Sequence, residues 1–73
     1  MEVKQTAMAD EQLKLEAIRM QLGLSRKQMA DRMHISLDRY NRLANGESKL
    51  LATEFIEIHR LSGLDYERIA ATQ

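Results

Sequence analysis

Leu24-Ser25-Arg26-Lys27-Gln28-Met29-Ala30-Asp31-Arg32-Met33-His34-Ile35-Ser36-Leu37-Asp38-Arg39-Tyr40-Asn41-Arg42-Leu43 is the stretch that decides the fold. It reads as two short helices joined by a tight corner. Ser25 sits where an N-cap belongs, and Gln28 three residues later completes an S-x-x-Q capping box. Met29, Ala30 and Met33 give the first helix an apolar stripe at helical spacing. Ser36 offers a second N-cap, so the chain must turn between Met33 and Ser36. Leu37, Tyr40 and Leu43 keep an i, i+3 rhythm in the second helix, and Asn45-Gly46 supplies its stop signal.

Around this core the pattern stays helical. Asp10 is expected to cap a first helix running to about Leu22, where Gly23 stops it. The inward face of that helix is Leu13, Ala17 and either Met20 or Ile18. Beyond the motif, Leu50 or Leu51 is expected to tuck under the domain, and Thr53 to cap a fourth helix. The inward stripe of that helix is Phe55, Ile58 and Leu61, or Ile56 and His59 beside them. Gly63 ends it, and Asp65 is expected to cap a short last helix with Tyr66 and Ile69. Residues 1–9 have weak periodicity and read as an N-terminal arm, with Val3 and Met8 available to cover a core edge. Residues 10–73 then form a single domain, with no internal repeat or low-complexity segment.

Composition agrees with an all-α bundle of about five helices. Hydrophobic residues make up 44% of 73 residues but aromatics only 4%, so Leu, Ile, Met and Ala must fill the core. There is no Pro and little Gly to interrupt helices. The absence of Cys excludes disulfides, thiolate metal sites and cysteine catalysis. No apolar run approaches the roughly 18 residues of a membrane span, so no membrane partner is expected and a cytoplasmic location is. His34 and His59 lie far apart, and no nucleophile–base pair, phosphate-cradling loop or metal-ligand spacing is visible. Neither an enzyme nor a bound cofactor or metal is expected.

The formal net charge is zero, but its distribution is uneven. Between Leu24 and Lys49 the basic residues Arg26, Lys27, Arg32, Arg39, Arg42 and Lys49 outnumber the acidic Asp31, Asp38 and Glu47, while both flanks are net acidic. A cationic patch carried on a pair of short helices is the footprint of a nucleic-acid binder.

These residues resemble the Cro/phage-repressor-like (XRE) helix-turn-helix family. Arg19-Met20-Gln21-Leu22-Gly23-Leu24-Ser25 is similar to the lead-in of that family's motif, and Met29-Ala30 stands where it has Leu-Ala. Ile35-Ser36 occupies the place of a Val-Ser-like pair, Asn45-Gly46 that of the Asn-Gly after the recognition helix, and Gly63-Leu64-Asp65 that of Gly-Val-Ser. The resemblance covers roughly Leu13 to Ile69, and its weight lies in the order and spacing of the matches. It implies a lambda-repressor-like DNA-binding domain with the motif at about 25–44 and recognition helix 37–44 in a major groove of double-stranded DNA. It places base reading on Leu37, Asp38, Asn41 and Arg42, and backbone or flanking contacts on Ser25, Arg26, Arg39, Asn45 and Lys49. Arg42 is the residue least explained by a purely structural role, whereas Asp38 also suits the positive end of its helix.

By the same resemblance the chain would occupy an operator as a homodimer joined through its C-terminal helices, with Leu64, Tyr66 and Ile69 as contacts. The alternative is a protein-interaction module that binds another repressor and modulates its DNA binding, using Leu37 and the neutral overall charge. Three departures stand out. An Arg in the first helix normally pairs with a Glu before Asn-Gly, but here Arg19 meets Ala44 and needs another acid, a phosphate or water. His34 stands at a turn position commonly Gly, which predicts a left-handed backbone there. Tyr40 replaces a smaller aliphatic residue, and its hydroxyl needs a partner or an exit to solvent.

Overall fold

Three successive helices end in the same way, and those endings set the path of the chain. The computed structural model describes residues 12–73. Helix α1 spans Leu15–Leu22, α2 Arg26–Met33 and α3 Leu37–Ala44. At each end a left-handed residue, Gly23, His34 or Gly46, lets the chain reverse. The reversal is tied by two backbone hydrogen bonds each time: Gly23 N to Met20 O and Leu24 N to Arg19 O, His34 N to Asp31 O and Ile35 N to Ala30 O, Gly46 N to Leu43 O and Glu47 N to Arg42 O. This is the Schellman closure, which satisfies carbonyls that a helix end would otherwise leave unpaired. Leu24 and Ile35, just past the first two closures, then pack against the core.

The helix starts are equally local. Gln28 N donates to Ser25 Oγ at 3.1 Å while Ser25 N donates to Gln28 Oε1 at 2.9 Å, so the capping box is complete. Arg39 N donates to Ser36 Oγ at 3.0 Å and starts α3. Helix α4, Ala52–Ser62, crosses beneath α2, and a single 3-10 turn at Tyr66–Arg68 follows. The core is Leu15, Ile18, Met29, Ala30, Met33, Tyr40, Leu43, Leu50, Ile58 and Ile69.

Several expectations need correction. The described part of the first helix starts at Leu15 and not near Asp10, which lies outside the described residues. The cause is tertiary: Leu13 forms a parallel bridge with Ile69, through Leu13 N to Arg68 O (2.8 Å) and Ala70 N to Leu13 O (2.9 Å), so residues 12–14 are extended. Leu15 N, at the helix start, donates to the side-chain oxygen of Gln73. Leu15 and Ile18 are buried and Met20 is exposed; likewise Leu50 is buried and Leu51 exposed. The fourth helix begins one residue before Thr53, because Leu51 occupies the cap position and its N–H donates to Glu54 Oε1 at 2.7 Å. The fifth helix is only the 3-10 turn, so the described residues hold four α-helices. Ile69 is 1% exposed and belongs to the core, which removes it from any contact with a second chain.

His34 has φ +63° and an exposed side chain, with Glu57 Oε1 3.8 Å from its Nδ1. A left-handed non-glycine residue costs about 1–2 kcal/mol, and glycine gives back roughly 0.5–1 kcal/mol of that in unfolded-state entropy. His34→Gly should therefore be neutral or stabilising by up to ~1 kcal/mol, read from the urea midpoint. A clear loss of stability would show that the imidazole is needed at the corner.

Candidate nucleic-acid interface

Helix α3 points its side chains in three directions, and two of them are fixed by the rest of the fold. Tyr40 and Leu43 enter the core and are fully buried. Arg39 turns sideways toward the start of α4, where Nε and Nη2 reach Glu54 at 2.9 and 3.0 Å and Nη2 also donates to Lys49 O at 3.3 Å. Leu37, Asp38, Asn41 and Arg42 are left on the remaining face, two pairs of neighbours one turn apart. The four expected base readers thus share one face.

Glu54 is only 3% exposed, and a carboxylate taken that far out of water must be paired. Burial by itself would raise its pKa. The hydrogen bonds from Arg39 and from the Leu51 N–H, with the Arg39 charge, outweigh burial and hold it below the ordinary carboxylate value. The Glu54 hydrogen bonds raise Arg39 in turn, against the opposing effect of burial. The sequence pattern misses this pair because the two residues are fifteen positions apart and both look like surface charges. Arg39 was expected to flank DNA. Its guanidinium fastens α3 to α4.

A second network lies at the other end of the face. Glu16 of α1 takes Arg19 Nη2 at 2.7 Å and Arg26 Nε at 2.9 Å. Arg19 thereby finds another acid, and its Nη1 donates to Leu24 O at 2.7 Å. Arg26 Nη1 also donates to Asn41 Oδ1 at 2.8 Å, and its guanidinium carbon lies 5.9 Å from the centre of the Tyr40 ring. The Tyr40 hydroxyl is buried with no hydrogen-bond partner among the described residues. Burial, reinforced by the neighbouring Glu16 charge, pushes it well above the ordinary tyrosine value. Tyr40 therefore stays a neutral phenol and serves as packing under Arg26.

The outer face is more self-paired than the sequence suggests. Arg42 Nη2 lies 2.5 Å from Asp38 Oδ2, with side chains 54% and 73% exposed, so Arg42 does have a structural partner. That i, i+4 spacing is readable from the sequence. Lys27 pairs with Asp31 at 3.2 Å. Among the motif's cations, Arg32 and Lys49 are the ones with no ion pair within the described residues. Leu37 is 39% exposed, beside the Ser36 cap. Ser25, Asn45 and Lys49 are exposed at the ends of α2 and α3 and in the loop behind them.

Elsewhere, Ala52, Phe55, Ile56, Tyr66 and Glu67 line an open groove of about 450 Å³ on the far side of α4. His59 stacks on Tyr66 with ring centres 4.5 Å apart, and its Nδ1 lies 2.6 Å from Leu64 O, which requires that nitrogen to carry the proton. No described helix is long and apolar enough to cross a membrane.

Acid should act on Glu54. An acid whose folded pKa lies below its unfolded one gives stability that is complete above the unfolded value, about 4.3, and lost as pH falls through the lower folded value. Glu54→Gln should be less stable than wild type at pH 7, and the difference should shrink on acidification below about pH 4. Urea midpoints that fall in parallel for both proteins from pH 7 to pH 3 would mean the pair is not depressed.

Comparison with known proteins fits this geometry. A helix-turn-helix family model matches residues 15–69, from the start of α1 to the residue bridged to Leu13. Searches of curated proteins and of solved structures each found no match.

Proposed function

The chain belongs to the Cro- and repressor-type helix-turn-helix (XRE) family of DNA-binding regulators, and we propose that it represses or otherwise regulates transcription by reading a specific operator with α3. The observation that carries this reading is the fixing of α3 on two sides. Its back is in the core and its flank is on Glu54, so Leu37, Asp38, Asn41 and Arg42 form a pre-positioned outward face. An α-helix so presented fits a major groove, where Arg42 can hold guanine N7 and O6, Leu37 can touch a thymine methyl, and Asp38 can accept from cytosine N4.

The backbone of the duplex would meet the exposed helix start at Ser25, the loop residues Asn45 and Lys49, and Arg26 beside them. Amides at a helix start carry partial positive charge and suit phosphate oxygens. Two chains would occupy two half-sites, since repressors of this build read palindromes about one helical turn apart. The groove of Ala52, Phe55, Ile56 and Tyr66 supports a homodimer contact on the C-terminal side, with Tyr66 kept from the expected set and Ile69 removed from it.

One observation favours a second reading. Most cations of the motif are already paired within the chain, which leaves little surplus positive charge for phosphates. A module that docks on another repressor through Leu37 would need none.

Fluorescence anisotropy against duplexes selected from a random pool, at two salt concentrations, decides between them. Arg42→Ala should lose ~1–3 kcal/mol on the best site and relax the preference at one base pair. Lys49→Ala should weaken all duplexes about equally and lower the salt slope by ~1. Failure of the wild-type chain to select any duplex would sink the DNA reading and leave the protein partner. Sedimentation of the chain on a two-half-site duplex should give two chains per duplex, and Ile56→Glu should abolish that pairing. One chain per duplex for wild type would exclude the homodimer.

A further inference from the structure

The contact between Arg26 and Asn41 joins a residue beside the phosphates to one on the reading face. Arginine carries only donors, so the Asn41 atom that faces Arg26 Nη1 at 2.8 Å has to be the carbonyl oxygen. The asparagine amide nitrogen is thereby turned the other way. Arg26 itself is held from three sides: by Glu16 Oε2 at 2.9 Å, by the Asn41 oxygen, and by the face of the buried Tyr40 ring, 5.9 Å away. Glu16 is in turn fixed by Arg19, which is anchored on Leu24 O. The orientation of the Asn41 amide is therefore set by a chain of contacts reaching back through α2 to α1.

We propose that Arg26 is a positioning residue for base recognition, holding Asn41 so that it meets the major groove as a hydrogen-bond donor only. An asparagine grips adenine with both ends of its amide, giving a hydrogen bond to N7 and taking one from N6. With its oxygen turned to Arg26, Asn41 loses the accepting half of that grip. Its NH₂ group suits an edge with acceptors and no donor, and guanine offers two such atoms, N7 and O6, against the single O4 of thymine. Cytosine, which offers an N4 donor there, is rejected. The wild-type chain thus prefers guanine over adenine at the base pair under Asn41, a preference set by a residue that does not touch the base. This rests on the DNA-binding reading above.

The test uses the full chain and selection from randomised duplexes, with guanine-to-adenine ratios measured at every position of the site. Asn41→Ala identifies the base pair by flattening the preference there. Arg26→Met, which keeps an apolar stem over Tyr40 but no guanidinium, should lower the guanine-to-adenine ratio at that same pair by about 10-fold, as the asparagine regains its accepting edge. Other positions should keep their ratios. A pure backbone anchor would instead weaken every sequence equally, so an unchanged ratio at that pair overturns the proposal. So does an Asn41→Ala profile identical to wild type. If circular dichroism shows Arg26→Met unfolded, Arg26→Lys keeps the charge without the forked hold and should shift the same ratio in the same direction. A wild-type chain that selects no sequence overturns the DNA reading itself, whereas selection with an unmoved ratio overturns only the role of Arg26.

Discussion

The Glu54 carboxylate is the constraint on which the arrangement of the reading face depends. It is buried, it is charged, and it accepts from Arg39 Nε, Arg39 Nη2 and the Leu51 N–H. Breaking such a pair by removing one partner typically costs roughly 3–5 kcal/mol, a large share of what a domain this small possesses. The bond from Leu51 closes the start of α4, and the two from Arg39 fasten α3 to it. With Tyr40 and Leu43 in the core, only one face of α3 remains to turn outward. The atoms that stabilise the fold are therefore the ones that orient the proposed reading face.

The family's habitual ion pair, between the first helix and the end of the recognition helix, is missing because Ala44 replaces the acid. Its work is divided. Glu16 collects Arg19 and Arg26 near the start of α2, while Glu54 collects Arg39 near the start of α4. Both acids sit where α-helices meet, and both draw a cation away from the surface. This explains how a motif with a surplus of basic residues belongs to a chain of zero net charge: much of the charge holds helices together. What stays available for a polyanion is a small, oriented set, which favours specific reading over general attraction.

The parts of this account legible in the sequence are those governed by contacts within a few residues. Ser25 with Gln28, Ser36 with the following turn, and the left-handed positions Gly23 and Gly46 follow from rules of helix ends, whereas the left-handed His34 follows only from the family resemblance. The outward grouping of Leu37, Asp38, Asn41 and Arg42 follows from helical period and the two Ser caps. What escaped was non-local. Leu13 joins Ile69, Gln73 covers the start of α1, and Glu54 finds Arg39, each across a separation that no periodicity encodes. Ile18 and Met20, two residues apart, lie on nearly opposite sides of α1, and it is Ile18, three residues after the buried Leu15, that faces inward. The Arg42–Asp38 pair is different, since its four-residue spacing is a local signal and was there to be read.

In the proposed function the face of α3 and the start of α2, and not the groove beside α4, meet the ligand, and the ligand is DNA. Titrating nitrogen-15-labelled protein with a selected duplex and following the backbone amides tests it most directly. DNA bound to this face should shift residues 25–28 and 37–42 most, with Ile56 and Tyr66 responding little beyond any change on dimerisation. Shifts confined to Ile56, Tyr66 and their neighbours, or none at saturating duplex, would contradict it.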